Sequence, residues 1–207
     1  MKMRSLASLL LVGFLSIASF PACAPHSGAK PHSSRAANPS IATLHTSRNI
    51  TLYYEEAHFP ENVKELILLP GNIDALIGAY QKDKKDNLYR FNIIMILNKK
   101  IEYRIDEGRS KAIEKELLKA IHDPDPWVRT EAVWGLGNIG NTGDLSALIP
   151  LLDDPDDNVL NETVLSLSKL SGLEKSGKNS NMDLQKKDRG KEVEFWKGWW
   201  KQNQQRY

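Results

Sequence analysis

From about Pro60 onward, apolar residues recur every three or four positions, in blocks parted by short polar breaks. Val63, Leu66, Ile67 and Leu69 form a first block that stops at Pro70-Gly71; Ile73, Leu76, Ile77 and Tyr80 form a second, broken by the polar run 81–87. That spacing predicts amphipathic helices. Pro60 followed by Glu61 suits a first helical turn, where the missing N–H is not needed and an acid complements the helix dipole. Leu88 to Asn98 reads as a strongly apolar third helix, while Asn49 to Tyr54 fits either a short strand or a helix start.

The later blocks repeat one another. Residues 117–139 superpose on 148–170 at a constant offset of 31, so that Asp123-Pro124-Asp125 meets Asp154-Pro155-Asp156, Glu131 meets Glu162, Val133 meets Val164 and Leu136 meets Leu167. Leu76, Tyr80, Tyr89, Arg90, Ile94 and Leu97 make an earlier, looser copy with a longer loop. Each unit reads as a helix, a tight Asp-Pro turn and a second helix. Asp125 and Asp156 are placed to cap that second helix, with Pro126 at its first position. Val128, Ala132, Val133, Leu136 and Ile139 recur at helical spacing and are expected to face inward. Gly135, Gly137 and Gly140 are expected to let a neighbouring helix approach closely, at a cost in helix propensity. A two-helix unit cannot bury its apolar stripe alone, so the units must stack.

Residues 117–140 resemble the HEAT-like repeat family, in particular the bacterial type also found in phycobilisome lyases: a leucine-rich first helix, an Asp-Pro-Asp turn, Val128-Arg129, then the Ala132, Leu136-Gly137 and Ile139-Gly140 pattern. Residues 148–172 match less closely, Leu160 standing where the arginine belongs, and 73–98 match in outline. The resemblance implies an all-α fold over 60–172, a short right-handed superhelix (α-solenoid) of about three HEAT-like helix pairs with a C-terminal capping helix. It also implies that Arg129 pairs with an acidic turn residue, Asp154 or Asp123, in a structural role.

Residues 1–23 read as a targeting segment. Lys2 and Arg4 precede an apolar run, Leu6 to Phe20, that is too short to span a bilayer comfortably and ends at Pro21-Ala22-Cys23. This resembles a bacterial lipoprotein signal, in which the cysteine is acylated; Phe20 and Pro21 depart from the usual pattern. Cys23 is the single cysteine of the chain, so no disulfide can form within it. The resemblance implies an exported protein, lipid-anchored at the cell membrane or outer membrane and facing the periplasm or exterior. Ala24, in place of the aspartate that favours inner-membrane retention, tips the expectation to the outer membrane. Residues 24–48, rich in Ser, Ala, Pro and His, are expected to be a flexible tether.

Composition sharpens the picture at two points. With Lys2 and Arg4 removed, the mature chain carries 28 − 2 = 26 basic and 26 acidic residues, which withdraws the basic excess that nucleic-acid binding needs. Charge is nevertheless segregated: residues 122–165 hold nine acidic residues against Arg129 alone, centred on Asp153, Asp154, Asp156 and Asp157, while 174–207 hold nine basic and five acidic. That cluster reads as helix caps and solvated turns, or as a docking point for a basic partner; it lacks the spacing and bend glycine of a calcium loop. After a loop expected over 173–190, residues 191–207 read as a last helix with Val193, Trp196, Trp199 and Trp200 on one side. It is either a cap on the solenoid end or an exposed contact face.

No arrangement of residues argues for catalysis, for a cofactor or for a metal. The five histidines, His26, His32, His45, His58 and His122, form no ligand pattern, and there is no phosphate loop. The sequence therefore points to a non-catalytic, lipid-anchored envelope protein that binds a protein partner through its repeat surface. The alternatives are a glycan or lipid binder acting through the tryptophan helix and, more weakly, a lyase-like enzyme.

Overall fold

The computed structural model describes residues 40–45, 59–173 and 186–207. Cys23, the apolar run before it, the segment 49–54 and most of the expected tether and loop lie outside these residues. The described helices are α1 (Glu61–Leu68), α2 (Ile73–Lys82), α3 (Asn87–Glu102), α4 (Ser110–Ala120), α5 (Pro126–Ile139), α6 (Leu145–Leu148), α7 (Asp157–Ser171) and α8 (Lys186–Asn203), with 3-10 turns between several of them. There is no strand among the described residues.

The helices stack as an all-α solenoid. Helices α1, α3, α5 and α7 form an inner row in which each packs on the next, and α2, α4 and the segment 142–153 back the row as the first helices of three pairs. Among the described residues no α-helix precedes α1, which takes the place of a second helix at the start of the row. The inner row is translated almost regularly. Lys100 Nζ donates to the Ile67 carbonyl, Asn98 Nδ2 to the Glu131 carbonyl and Ser166 Oγ to the Val133 carbonyl, each across 33 residues of sequence. Each bond gives a buried polar side chain a carbonyl partner on the neighbouring helix, which removes the penalty of burying it unpaired. Lys100 also reaches the Leu69 carbonyl at 2.7 Å, so its ammonium sits on the C-terminal carbonyls of α1, where the helix dipole favours a cation.

The turns follow from their aspartates. Asp125 Oδ1 accepts from Trp127 N at 2.9 Å and Val128 N at 3.3 Å, and Asp156 Oδ1 does the same for Asn158 N and Val159 N at the same distances. Two residues earlier, Asp123 and Asp154 accept from the backbone N–H of those capping residues, both at 2.9 Å. One aspartate closes the turn and the next starts the helix. Gly135 and Gly137 are packing glycines: a Cβ at Gly135 would lie 2.1 Å from Asn98 Oδ1, and one at Gly137 would lie 3.3 Å from the Ser166 Cα. Gly140 is not. Nothing lies within 4 Å of a Cβ there, and its φ of +79° makes it the left-handed residue that ends α5.

Three expected boundaries move. Ile41–His45 forms a 3-10 turn packed on α1 and α3, with Leu44 fully buried, so the stretch expected as tether contains a docked segment. Ile41 and Leu44, three apart, supply its apolar side. Residues 186–190 are the first turn of α8 and not loop, because Lys186-Lys187-Asp188-Arg189 are compatible with helix. The first helix of the third pair is broken into the 3-10 turn Thr142–Asp144, α6 and the 3-10 turn Ile149–Asp153, since Pro150 supplies no N–H to an α-helical bond.

Candidate functional site

Successive pairs are locked by one repeated contact. The fourth residue after the capping aspartate is Arg90 in α3 and Arg129 in α5. Arg129 donates from Nε and Nη2 to the two oxygens of Asp154, each at 2.8 Å, and from Nη1 to the Asp123 carbonyl at 2.9 Å. Arg90 grips Asp123 in the same way, at 2.8 and 2.9 Å, and Tyr80 Oη adds a bond of 3.0 Å. Asp123 therefore takes Arg90, not Arg129, as its side-chain partner. Burial alone would raise the Asp123 carboxyl, but Arg90, the Asp125 N–H and Tyr80 together hold it below the ordinary aspartate value. In α7 the corresponding residue is Leu160, half-buried against the core, and no further Asp-Pro turn follows it. The lost arginine marks the last pair.

Helix α8 covers that last pair. It packs on α7 and on 149–153, and Trp196 is 1% exposed. Trp196 stacks edge-on with Phe195 at 5.2 Å and with Trp199 at 5.5 Å between ring centres. Lys197 Nζ meets both oxygens of Asp153 at 2.5 and 2.7 Å, and Arg189 pairs with Asp157. Asp156 caps α7. Two members of the acidic cluster, Asp153 and Asp157, thus pair with the basic tail within the chain, while their side chains stay 68% and 54% exposed. Trp196 leaves the set of candidate contact residues because it is buried. Trp199 and Trp200 are half-buried, and Tyr207 lies 5.8 and 6.4 Å from them.

Among the described residues, the outer stripe of α5 and α7 also carries exposed apolar side chains. Trp127 is 51% exposed and Leu165 40% exposed, and Trp134, equivalent to Leu165 in the repeat, is half-buried. Lys99 Nζ lies 5.9 Å from the centre of the Trp134 ring. Beside Trp134, a cleft of about 420 Å3 is lined by Asn98, Ile101, Glu102, Arg104, Gly135 and Asn138. Asn98 Nδ2 donates to the Glu131 carbonyl and to Glu131 Oε1, while Asn98 Oδ1 is buried beside Gly135, one turn further along α5, with no donor. Burial raises the Glu131 carboxyl; burial and then Glu131 push Glu162 up to about 7, Lys169 opposing.

Sequence reasoning paired Glu131 with Glu162 in register but did not single out this stripe. Trp134 and Leu165 sit at equivalent repeat positions and Trp127 lies seven residues before Trp134 on the same side of α5, a signal that could have found it. Among the described residues, no group of three or more His, Cys, Asp or Glu is placed to hold a metal ion, and no helix is long and apolar enough to cross a membrane.

Comparison with known families matches residues 73–168 to HEAT repeats. The match spans α2 to the last turns of α7, the three helix pairs described above. No curated protein matches the chain.

Proposed function

We propose that this is a non-catalytic scaffold of the bacterial cell envelope, held to a membrane through acylated Cys23, that binds another protein on the outer stripe of α5 and α7. The observation that carries the reading is the exposure of Trp127 and Leu165 on a rigid row of helices that also presents Trp134. Stacked repeats commonly bind partners on such extended surfaces, and exposed tryptophans suit binding hot spots. The likeness to lyase-type repeats carries no chemistry with it, because activity resides in a site and not in a fold.

Detergent pull-downs from native membranes test both parts. A defined envelope protein should co-purify with the wild type, be lost with Trp127→Ser and Leu165→Ser together, and be lost from the membrane fraction with Cys23→Ser. Retention of the double variant's partner would move the contact elsewhere. Membrane retention of Cys23→Ser would remove the anchor.

A second reading has its own support. Phe195 and Tyr207 are 42% and 46% exposed beside half-buried Trp199 and Trp200, an aromatic edge suited to glycan or lipid. Trp200→Ala and Tyr207→Ala should abolish co-sedimentation with peptidoglycan or vesicles under this reading, and leave the pull-down partner untouched under the first.

A further inference from the structure

The nine acidic residues of 122–165 can be sorted by what engages them. Arg90 and Arg129 hold Asp123 and Asp154, Lys197 and Arg189 hold Asp153 and Asp157, Asp125 and Asp156 cap helices, and Asn98 donates to Glu131. Asp144 and Glu162 remain. Asp144 is buried, 5% exposed, at the start of α6. Glu162 is half-buried in the open stripe, one turn from exposed Leu165, and no hydrogen bond or ion pair engages its carboxylate among the described residues. The cation that acts on it, Lys169, is bonded to Asn138.

A half-buried carboxylate without a partner costs stability, and a cation brought to it from outside offsets that cost. The other unmet features of this face point the same way. Trp127 and Leu165 are exposed apolar surface on the same stripe, and the Trp134 ring there accepts an ammonium, Lys99 Nζ lying 5.9 Å from its centre. The face presents apolar groups around the Glu162 carboxylate.

We infer that the α5–α7 stripe docks a basic, apolar segment of a partner protein, one Lys or Arg of which pairs with Glu162 while apolar neighbours cover Trp127, Trp134 and Leu165. The inference deepens the protein-binding reading and rests on it. It names the partner's chemistry: a cation framed by apolar side chains, at the centre of a tryptophan-lined contact where a desolvated charge pair contributes most.

The test uses the full-length protein in detergent and two hexapeptides of leucine and arginine, the second with neutral citrulline in place of each arginine. Binding is followed by the NMR shifts of the Trp134 indole and the Glu162 amide. The arginine peptide should bind saturably, and about tenfold more tightly than the citrulline peptide. Glu162→Gln should erase that discrimination, and Leu165→Ser should weaken both peptides alike. Absence of binding by the arginine peptide, equal binding of the two peptides, or discrimination that survives Glu162→Gln overturns the inference. If the native partner is still captured through Trp127 and Leu165 in that case, the scaffold reading stands and this one alone falls.

Discussion

Arg129 and Asp154 meet in a two-pronged ion pair across the junction of successive helix pairs, their side chains 14% and 6% exposed. The planar guanidinium matches the carboxylate fork, and its third nitrogen closes on the Asp123 carbonyl, so one residue ties its own turn to the next. Asp154→Ala leaves that arginine mostly buried and unpaired, and should cost about 3–5 kcal/mol in urea denaturation. Arg129→Lys keeps the charge but loses the fork and should still be clearly destabilised. Leu160→Arg should recover nothing, having no following aspartate to meet. A gain from it would refute the account of why the series stops.

The two packing glycines and the capping glycine should respond differently to alanine. Gly135→Ala and Gly137→Ala each force a methyl into a neighbouring helix and should cost about 1–3 kcal/mol, despite about 1 kcal/mol of improved helix propensity. Gly140→Ala meets no neighbour but places a Cβ in a left-handed conformation, at a cost of about 1–2 kcal/mol. Shortening Asn98 should rescue Gly135→Ala and leave Gly140→Ala unchanged. A double-mutant cycle in chemical denaturation reads the difference.

Trp196→Ala removes the one fully buried tryptophan of the cap and should cost about 3–5 kcal/mol, with α8 becoming the first segment cut in limited proteolysis. Trp200→Ala, half-buried at the aromatic edge, should cost far less. If Trp196→Ala leaves both the denaturation midpoint and the proteolysis pattern unchanged, α8 does not cap the solenoid.

Glu162 carries a pH signature with a definite sign. Its folded value of about 7 stands above the ordinary 4.5, so between those values the folded chain binds more protons than the unfolded one. Stability therefore declines as pH rises through that window, and the penalty is complete above it. Asp144, pushed up to about 6 by burial and by Glu114, adds a decline of the same sign over a lower window. Glu131 raises Glu162 and Lys169 lowers it. Discounted for its partial exposure, Glu162→Gln should stabilise by about 1–2 kcal/mol at pH 8 and by nothing at pH 4. An equal gain at both values would show that the effect is not electrostatic.

Much of the architecture is a property of the sequence alone. A constant repeat offset together with helical spacing leaves stacking as the way to bury the apolar stripes of residues 60–172, and the match of residues 73–168 to HEAT repeats agrees. Asp125 and Asp156 cap their helices as their positions dictate, because capping depends on residues two or three apart. What acts across the chain was not legible in the same way. Arg90 reaches Asp123 over 33 residues, and Lys197 reaches Asp153 over 44, distances that periodicity within one element does not encode. Gly137 and Gly140 look alike in sequence, and only the neighbouring helix makes one a contact and the other a terminator. Likewise the sequence shows a tryptophan-rich tail and an acidic cluster, whereas packing decides that Trp196 is core, that Lys197 and Arg189 of α8 pair with Asp153 and Asp157, and that Trp127, Glu162 and Leu165 are left on an open face. Burial is set by which surfaces meet, and that is decided by the stacking of the pairs, not by any one of them.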